Sequence, residues 1–418
     1  MASEDGRSPM IRPLLPRTTK TIRHKPEHDR LMRDLSNSPT PPWSLQAARV
    51  DAIIAPASRS APSMDRLIKL SAEAQCALVV LCSGMTKIEH LSELVAAVPN
   101  TEVLMIDVPV GYSHDHIPTQ TSAKQFRQAS AWRTSDLSLK RNMGLMIARL
   151  HGWRKVVFID DDISLKRDDL ARIGWALERH PIAGMACRYF PDNSAVCHAR
   201  RLVGLPQGNF VSGAVLGVNC DDHPLPFFPD VYNEDWFSFS DAAARRDVPK
   251  VGYARQDIYD PFVSPFRAKR EEFGDLLAEG LFSLFGDAEA GVNFSEVLKR
   301  ATPIFWEEFQ DARRVIIDTT YGQLKLPAYE GNEVARRAME SLDASRSQLA
   351  IITPDDCVAF IDAWRDDKEK WLKTCASLHS AGSTWEAMQT LGIGEWRITK
   401  YRRKHIHATD REGSLHTR

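Results

Sequence analysis

Three consecutive carboxylates, Asp160, Asp161 and Asp162, directly follow the apolar run Val156-Val157-Phe158-Ile159. Adjacent acids repel one another unless a cation sits among them, and hard divalent ions such as Mn²⁺ or Mg²⁺ take oxygen ligands of this kind. An apolar strand ending in carboxylates presents them where open α/β sheets bind ligands, in the crevice beyond the strands' carboxyl ends. A metal–diphosphate suits that chemistry, with one of Asp160 and Asp162 taking the metal and the other addressing the nucleotide. Side chains alternate along extended backbone. Asp160 and Asp162 are therefore expected to face one way and Asp161 the other. The plain alternative is a solvated turn, and Asp168-Asp169 shows that acids are common nearby.

Two groups of cations are suited to the anionic half of such a ligand. Lys140, Arg141 and Asn142 fall near the start of a helix predicted over residues 136–150. Cations there oppose the helix macrodipole unless an anion is bound, and the same helix end offers backbone N–H groups to it. Pro56, Ser58 and Arg59 follow the first predicted strand, where Arg59 is able to grip a phosphate in bidentate fashion. The ordinary readings are a solvated basic turn and a solvent-facing arginine.

A second acidic motif is Tyr232-Asn233-Glu234-Asp235-Trp236. Asn233 suits a helix cap with Glu234 and Asp235 in the first turn. Alternatively, one of the two acids serves as general base toward an acceptor hydroxyl, with Trp236 as a stacking platform for a sugar. A carboxylate becomes a useful base only where burial or a neighbouring acid raises its pKa. The flanking Phe227, Phe228, Tyr232 and Phe237 are suited to that.

The elements around these residues read as alternating strands and helices. Strands are predicted at residues 50–55, 77–82 and 102–108, and helices at 64–75 and 136–150. In the second helix Leu139, Met143, Met146 and Leu150 form one apolar stripe. The alternation implies a layered α/β fold with a mainly parallel sheet. Residues 202–219 are apolar and carry Gly204, Gly208, Gly213 and Gly217, which suggests strands bent around a ligand. Helices are predicted at 266–285, 294–312, 332–342 and 355–378. Residues 383–404 read as two short helices around Leu391-Gly392-Ile393-Gly394. No internal repeat is found.

Taken together the motifs resemble the GT-A glycosyltransferase fold, a Rossmann-like α/β fold, and within it the family-2 type. The carriers are Pro56-Ala57-Ser58-Arg59, Lys140-Arg141-Asn142-Met143-Gly144, Phe158-Ile159-Asp160-Asp161-Asp162 and Asn233-Glu234-Asp235-Trp236. The resemblance covers about residues 50–265; together with composition and periodicity it divides the chain into a flexible basic leader (1–45), a catalytic domain (46–265), a helical region (266–380) and a small basic helical tail (381–418). It implies a nucleotide-diphosphate sugar donor, an acceptor hydroxyl, Mn²⁺ or Mg²⁺, and inversion at the anomeric carbon. By the same resemblance Asp162 ligates the metal, Asp160 contacts the nucleotide ribose or the metal, and Asp161 lies at the nucleotide sugar. Lys140 and Arg141 lie near the nucleotide, and Asp235 is the base. Two departures stand out. Cys82-Ser83-Gly84 replaces the acid that often ends the second strand. No histidine lies between His223 and His379, which leaves Gln256, Asp257 or water to complete a metal shell.

Composition narrows the remaining options. A formal net charge of −1 gives no global reason to bind a polyanion. No stretch of about 18 apolar residues is present to span a bilayer. Seven cysteines, none in CxxC spacing, suit a reducing cytoplasm. Cys187, Cys197 and His198 match no common zinc spacing. Two other readings compete: a nucleotide-sugar mutase of the reversibly glycosylated polypeptide type, and a DNA-modifying glycosyltransferase. The latter would use residues 384–404 as a basic helix-turn-helix, for which an amphipathic cap with a solvated basic face is the plainer account.

Overall fold

The computed structural model describes residues 28–38, 48–191, 193–208, 210–221, 224–288 and 293–399. Among them, ten strands form one sheet. They are β1 (Met32–Asp34), β2 (Ala52–Ala57), β3 (Ala77–Cys82), β4 (Val103–Asp107), β5 (Lys155–Ile159), β6 (Ile163–Ser164), β7 (Ile182–Arg188), β8 (Val211–Asn219), β9 (Val248–Gln256) and β10 (Trp396–Thr399). Their order is β1-β9-β7-β8-β5-β2-β3-β4-β10, with β6 lying on β9. The sheet is mixed and mostly parallel. β8 runs antiparallel between β5 and β7, and β10 runs antiparallel on β4.

The strands next to the triplet are apolar at successive positions because both faces of the sheet are covered, as in buried parallel sheets. In β5, Val156 and Phe158 join one core while Val157 and Ile159 join the other. The helices Asp65–Ala74, Ile88–Ala96 and Arg167–Ala176 cover the second face. The helix Leu137–Leu150 covers the first, in a core shared with the helices after Pro265. Gly144 lets that helix approach closely, since a Cβ there would meet Ile54 at 2.8 Å and Phe158 at 3.0 Å.

Several local expectations are corrected. The segment Met32–Asp34, expected to be part of a flexible leader, is a strand paired in parallel with β9. Leu31 is fully buried beside it, and Asp34 pairs with Lys250 at 2.6 Å. The rest of the leader falls largely outside the described residues. Residues 202–219 contain a single strand, β8, preceded by the helix Ala195–Leu202. The helix expected over 294–312 is two helices, Phe294–Leu298 and Pro303–Leu324. Proline disfavours helical backbone in the residue before it, and Thr302 instead caps the second helix through Phe305 N–H.

Among the described residues, the second of the two short helices expected over 383–404 is absent. Thr384–Thr390 is helical, but Trp396–Thr399 pairs edge-on with β4, Trp396 opposite Ile106. A four-residue apolar–polar run is too short for its period to separate strand from helix. Residues 400–404 lie outside the described residues. No described helix is long and apolar enough to cross a membrane.

Candidate functional site

Strand β5 ends at Ile159, and the chain turns at once: Ile163 N–H donates to the Asp160 carbonyl at 3.1 Å. The alternation expected for the triplet is interrupted, because Asp161 and Asp162 form a turn between β5 and β6. Asp161 and Asp162 share Arg59, while Asp160 turns to Arg141.

Asp161 is the anchor of the loop after β2. One carboxylate oxygen accepts from the N–H groups of Ser58 and Arg59, both at 3.1 Å, and the other accepts from the Arg59 guanidinium. Asp162 Oδ2 accepts from Arg59 Nη2 at 3.0 Å and from Gln256 Nε2 at 3.3 Å. Burial raises the Asp162 pKa above its ordinary value despite the lowering pull of Arg59 and Gln256. Arg59 is held more firmly protonated than usual: desolvation opposes its charge, but Asp162 and Asp161 outweigh it.

Lys140 lies at the edge of the same site, but its ammonium is fully engaged. It donates to the Ala57 carbonyl at 2.9 Å and to Ser83 Oγ at 2.7 Å, and it pairs with Asp136 at 3.0 Å. Ser83, in the place of the absent acid, thereby joins the loops after β2 and β3. Asn142 is structural: its amide brackets the backbone of Phe228, donating to the carbonyl at 2.8 Å and accepting from the N–H at 3.0 Å.

Arg141 is buried and bridges Asp160, at 3.2 Å, to Glu234. Desolvation works against its charge, yet Asp160, Glu234 and Asp235 together hold its pKa above the ordinary arginine value. A Cβ at Gly213 would overlap that guanidinium and force it to shift. The Gly213 N–H donates to Asp235 Oδ2 at 2.5 Å. Asn233 does not cap the following helix with its side chain. It takes left-handed backbone (φ 62°) and donates to Asp275 at 2.8 Å.

Facing the triplet is an open cleft of about 560 Å³. It gathers Pro56, Ser58, Arg59, Lys140 and all three aspartates, together with Ser135, Asp136 and Leu137 at the start of the helix Leu137–Leu150. Arg141, Asn142, Glu234, Asp235 and Trp236 are not part of its lining. Trp236 instead packs against Phe210 and Phe282, at 5.3 and 4.5 Å between ring centres. The residue expected as a stacking platform is thus half-buried and lies off the cleft lining.

The far wall, from Tyr259, Asp260, Val263 and Arg267, was not identified from the sequence. Arg267 stacks 4.5 Å over the Tyr259 ring and donates to its hydroxyl at 3.2 Å. Tyr259 in turn donates to the Asn193 carbonyl at 3.2 Å. His198 stands beside Tyr259 and is pushed down to about 4, chiefly by burial and then by Arg267, so it is neutral near pH 7. No local motif marks this wall, because β9 delivers it from the far side of the sheet.

Among the described residues, the one set of three His, Cys, Asp or Glu side chains whose ligand atoms mutually converge is Cys197, Asp275 and Glu279, not the triplet. That set is fully buried and faces Arg313, which already supplies positive charge. Burial pushes the Cys197 thiol well above its ordinary value. At the triplet, two donors suit a hard cation: Asp162 and the Gln256 side-chain oxygen, which is buried without a hydrogen-bond partner. Mg²⁺ and similar ions complete such partial shells with water and phosphate oxygens. Asp257 points elsewhere, pairing with Arg66 at 2.5 Å. Cys187, facing Ser212, and Cys197, facing Glu279, do not share a zinc site.

The chain matches no protein-family model, and a search of curated proteins returns no match.

Proposed function

We propose that this protein is a glycosyltransferase of GT-A, family-2-like type, moving a sugar from a nucleotide-diphosphate donor to an acceptor hydroxyl with inversion. The observation that carries the reading is the meeting of Arg59, Lys140 and the aspartate triplet in one cleft beyond the carboxyl ends of β2 and β5. Open α/β sheets bind nucleotides at that edge. The start of the helix Leu137–Leu150 opens on the same cleft and adds favourable potential for phosphate.

In this reading Arg59 and the helix start bind the diphosphate. Asp162 and the Gln256 oxygen hold Mn²⁺ or Mg²⁺, and such an ion would supply neutralising charge for the departing diphosphate. Asp161 keeps the Ser58–Arg59 backbone fixed, and Lys140 ties the two flanking loops together. The motif resemblance assigns Asp235 as the base toward the attacking hydroxyl, from a buried position behind the cleft lining, while Arg141 bridges the neighbouring Glu234 to Asp160. The far wall of Tyr259 and Arg267 orients the transferred sugar or the acceptor. A cytoplasmic location belongs to the same proposal and agrees with seven free, buried cysteines.

A thermal-shift screen of nucleotide sugars with and without Mn²⁺ tests this, since a ligand of the native state raises apparent stability. A Mn²⁺-dependent stabilisation by at least one donor is expected. A shift with no donor would remove the support for transferase activity. Recovery of an isomerised donor instead of a new glycoside would favour the mutase reading.

A further inference from the structure

We infer that Arg59 is a built-in counter-ion of the triplet that a divalent cation must displace, and that the displaced guanidinium then grips the diphosphate, so that cation and diphosphate bind cooperatively. The inference rests on the proposed metal–diphosphate reading of the cleft.

The loop that carries Arg59 is fixed while its charged end is not. Its backbone N–H and that of Ser58 are held by Asp161 at 3.1 Å, and its carbonyl accepts from Thr86 Oγ1 at 2.5 Å. The side chain is 49% exposed at the cleft, against 3% for Asp161 and 8% for Asp162. The guanidinium can therefore swing about its own side-chain torsions with no movement of the loop.

Its present partners are the oxygens a cation needs. Arg59 Nη2 lies 3.0 Å from Asp162 Oδ2, and a metal ion at Asp162 would bring two positive charges onto one carboxylate. Like charges at that separation repel, so the ion alone must work against the arginine. A second, independent feature points to a cation at the same place. Gln256 is 6% exposed, its amide nitrogen bonds Asp162, and its oxygen has no hydrogen-bond partner. Arg59 does not satisfy that oxygen; a turn of the amide, at the cost of its one bond to Asp162, would offer it to a hard cation there.

A diphosphate changes the balance because it offers the released guanidinium a bidentate anionic partner. Each ligand then removes the obstacle to the other, and the coupling is reciprocal by linkage.

Electron paramagnetic resonance of free Mn²⁺ measures this directly in the full-length protein, the Arg59→Met variant and the Asp162→Asn variant, each with and without inorganic pyrophosphate. Circular dichroism checks that the variants are folded. Arg59→Met is expected to bind Mn²⁺ alone about ten-fold more tightly than the parent, in the usual range of coupling between sites. Pyrophosphate should tighten Mn²⁺ binding to the parent and do so far less in Arg59→Met. Asp162→Asn should bind weakly under both conditions. Equal or weaker Mn²⁺ affinity in Arg59→Met would overturn the inference while leaving the metal reading intact. No Mn²⁺ binding by parent or Arg59→Met, with or without pyrophosphate, would overturn both.

Discussion

Arg141 and Asp160 meet at 3.2 Å beneath the cleft, and through Arg141 the triplet is joined to Glu234. Two acidic motifs more than 70 residues apart in sequence thus share one buried cation. Replacing Arg141 by Met leaves Asp160 and Glu234 without their common partner. Breaking a buried pair from one side costs about 3–5 kcal/mol. Urea denaturation of Arg141→Met should register a loss of that order. A loss near zero would mean that the bridge is not a structural element.

Gly213→Ala tests the same bridge by shape. Its Cβ would overlap the Arg141 guanidinium, and its N–H holds Asp235. A destabilisation of about 1–3 kcal/mol is expected from overpacking. The double variant with Arg141→Met should lose much of that penalty, a non-additivity that a double-mutant cycle reads out.

Asp235→Asn separates chemistry from architecture. An asparagine oxygen can still accept from Gly213 N–H, so the fold and donor binding should persist. Transfer to the acceptor should fall by about 10²–10⁴-fold, the typical contribution of a general base. Transfer at the parental rate would eliminate Asp235 as the base.

The helix Pro265–Asp287 carries Glu272, Asp275 and Glu279 on one buried face around Arg313. Burial pushes Glu279 up to about 7, more than Arg313 pulls it down. A raised carboxyl pKa means that the fold favours the protonated form. That contribution is complete below the ordinary value of 4.5 and is lost as pH rises through about 7. Glu279→Gln should therefore match the parent in acid and exceed it above neutrality, by roughly 3–4 kcal/mol at most. Chemical denaturation across that pH range checks it; a parent whose stability does not fall relative to the variant would refute the assignment.

Much of the sheet was legible in the sequence, because β2, β3 and β5 are apolar runs whose flanks change composition sharply. The helix Leu137–Leu150 was legible from the stripe Leu139, Met143, Met146 and Leu150. Other features were hidden for physical reasons. Nothing local says that extended backbone stops at Ile159, yet that single turn decides which way each aspartate points. The direction of β8 depends on pairing with β5 and β7, which its own residues do not encode. Trp236 reads equally well as a surface platform or as a packing partner of Phe210 and Phe282. Tyr259 and Arg267 reach the cleft only because β9 crosses to the far side of β7. Gln256 was named as one of two possible metal-shell residues, and only the folded chain separates it from Asp257.

The most direct test is calorimetric titration of nucleoside diphosphates and their sugars, with Mn²⁺ and with a chelator, into the parent and Asp162→Ala. Uptake by the parent that requires Mn²⁺ and disappears in Asp162→Ala is the expected result. Uptake indifferent to both chelator and substitution, or none for any nucleotide, would contradict the assignment of this cleft to a metal-bound sugar nucleotide.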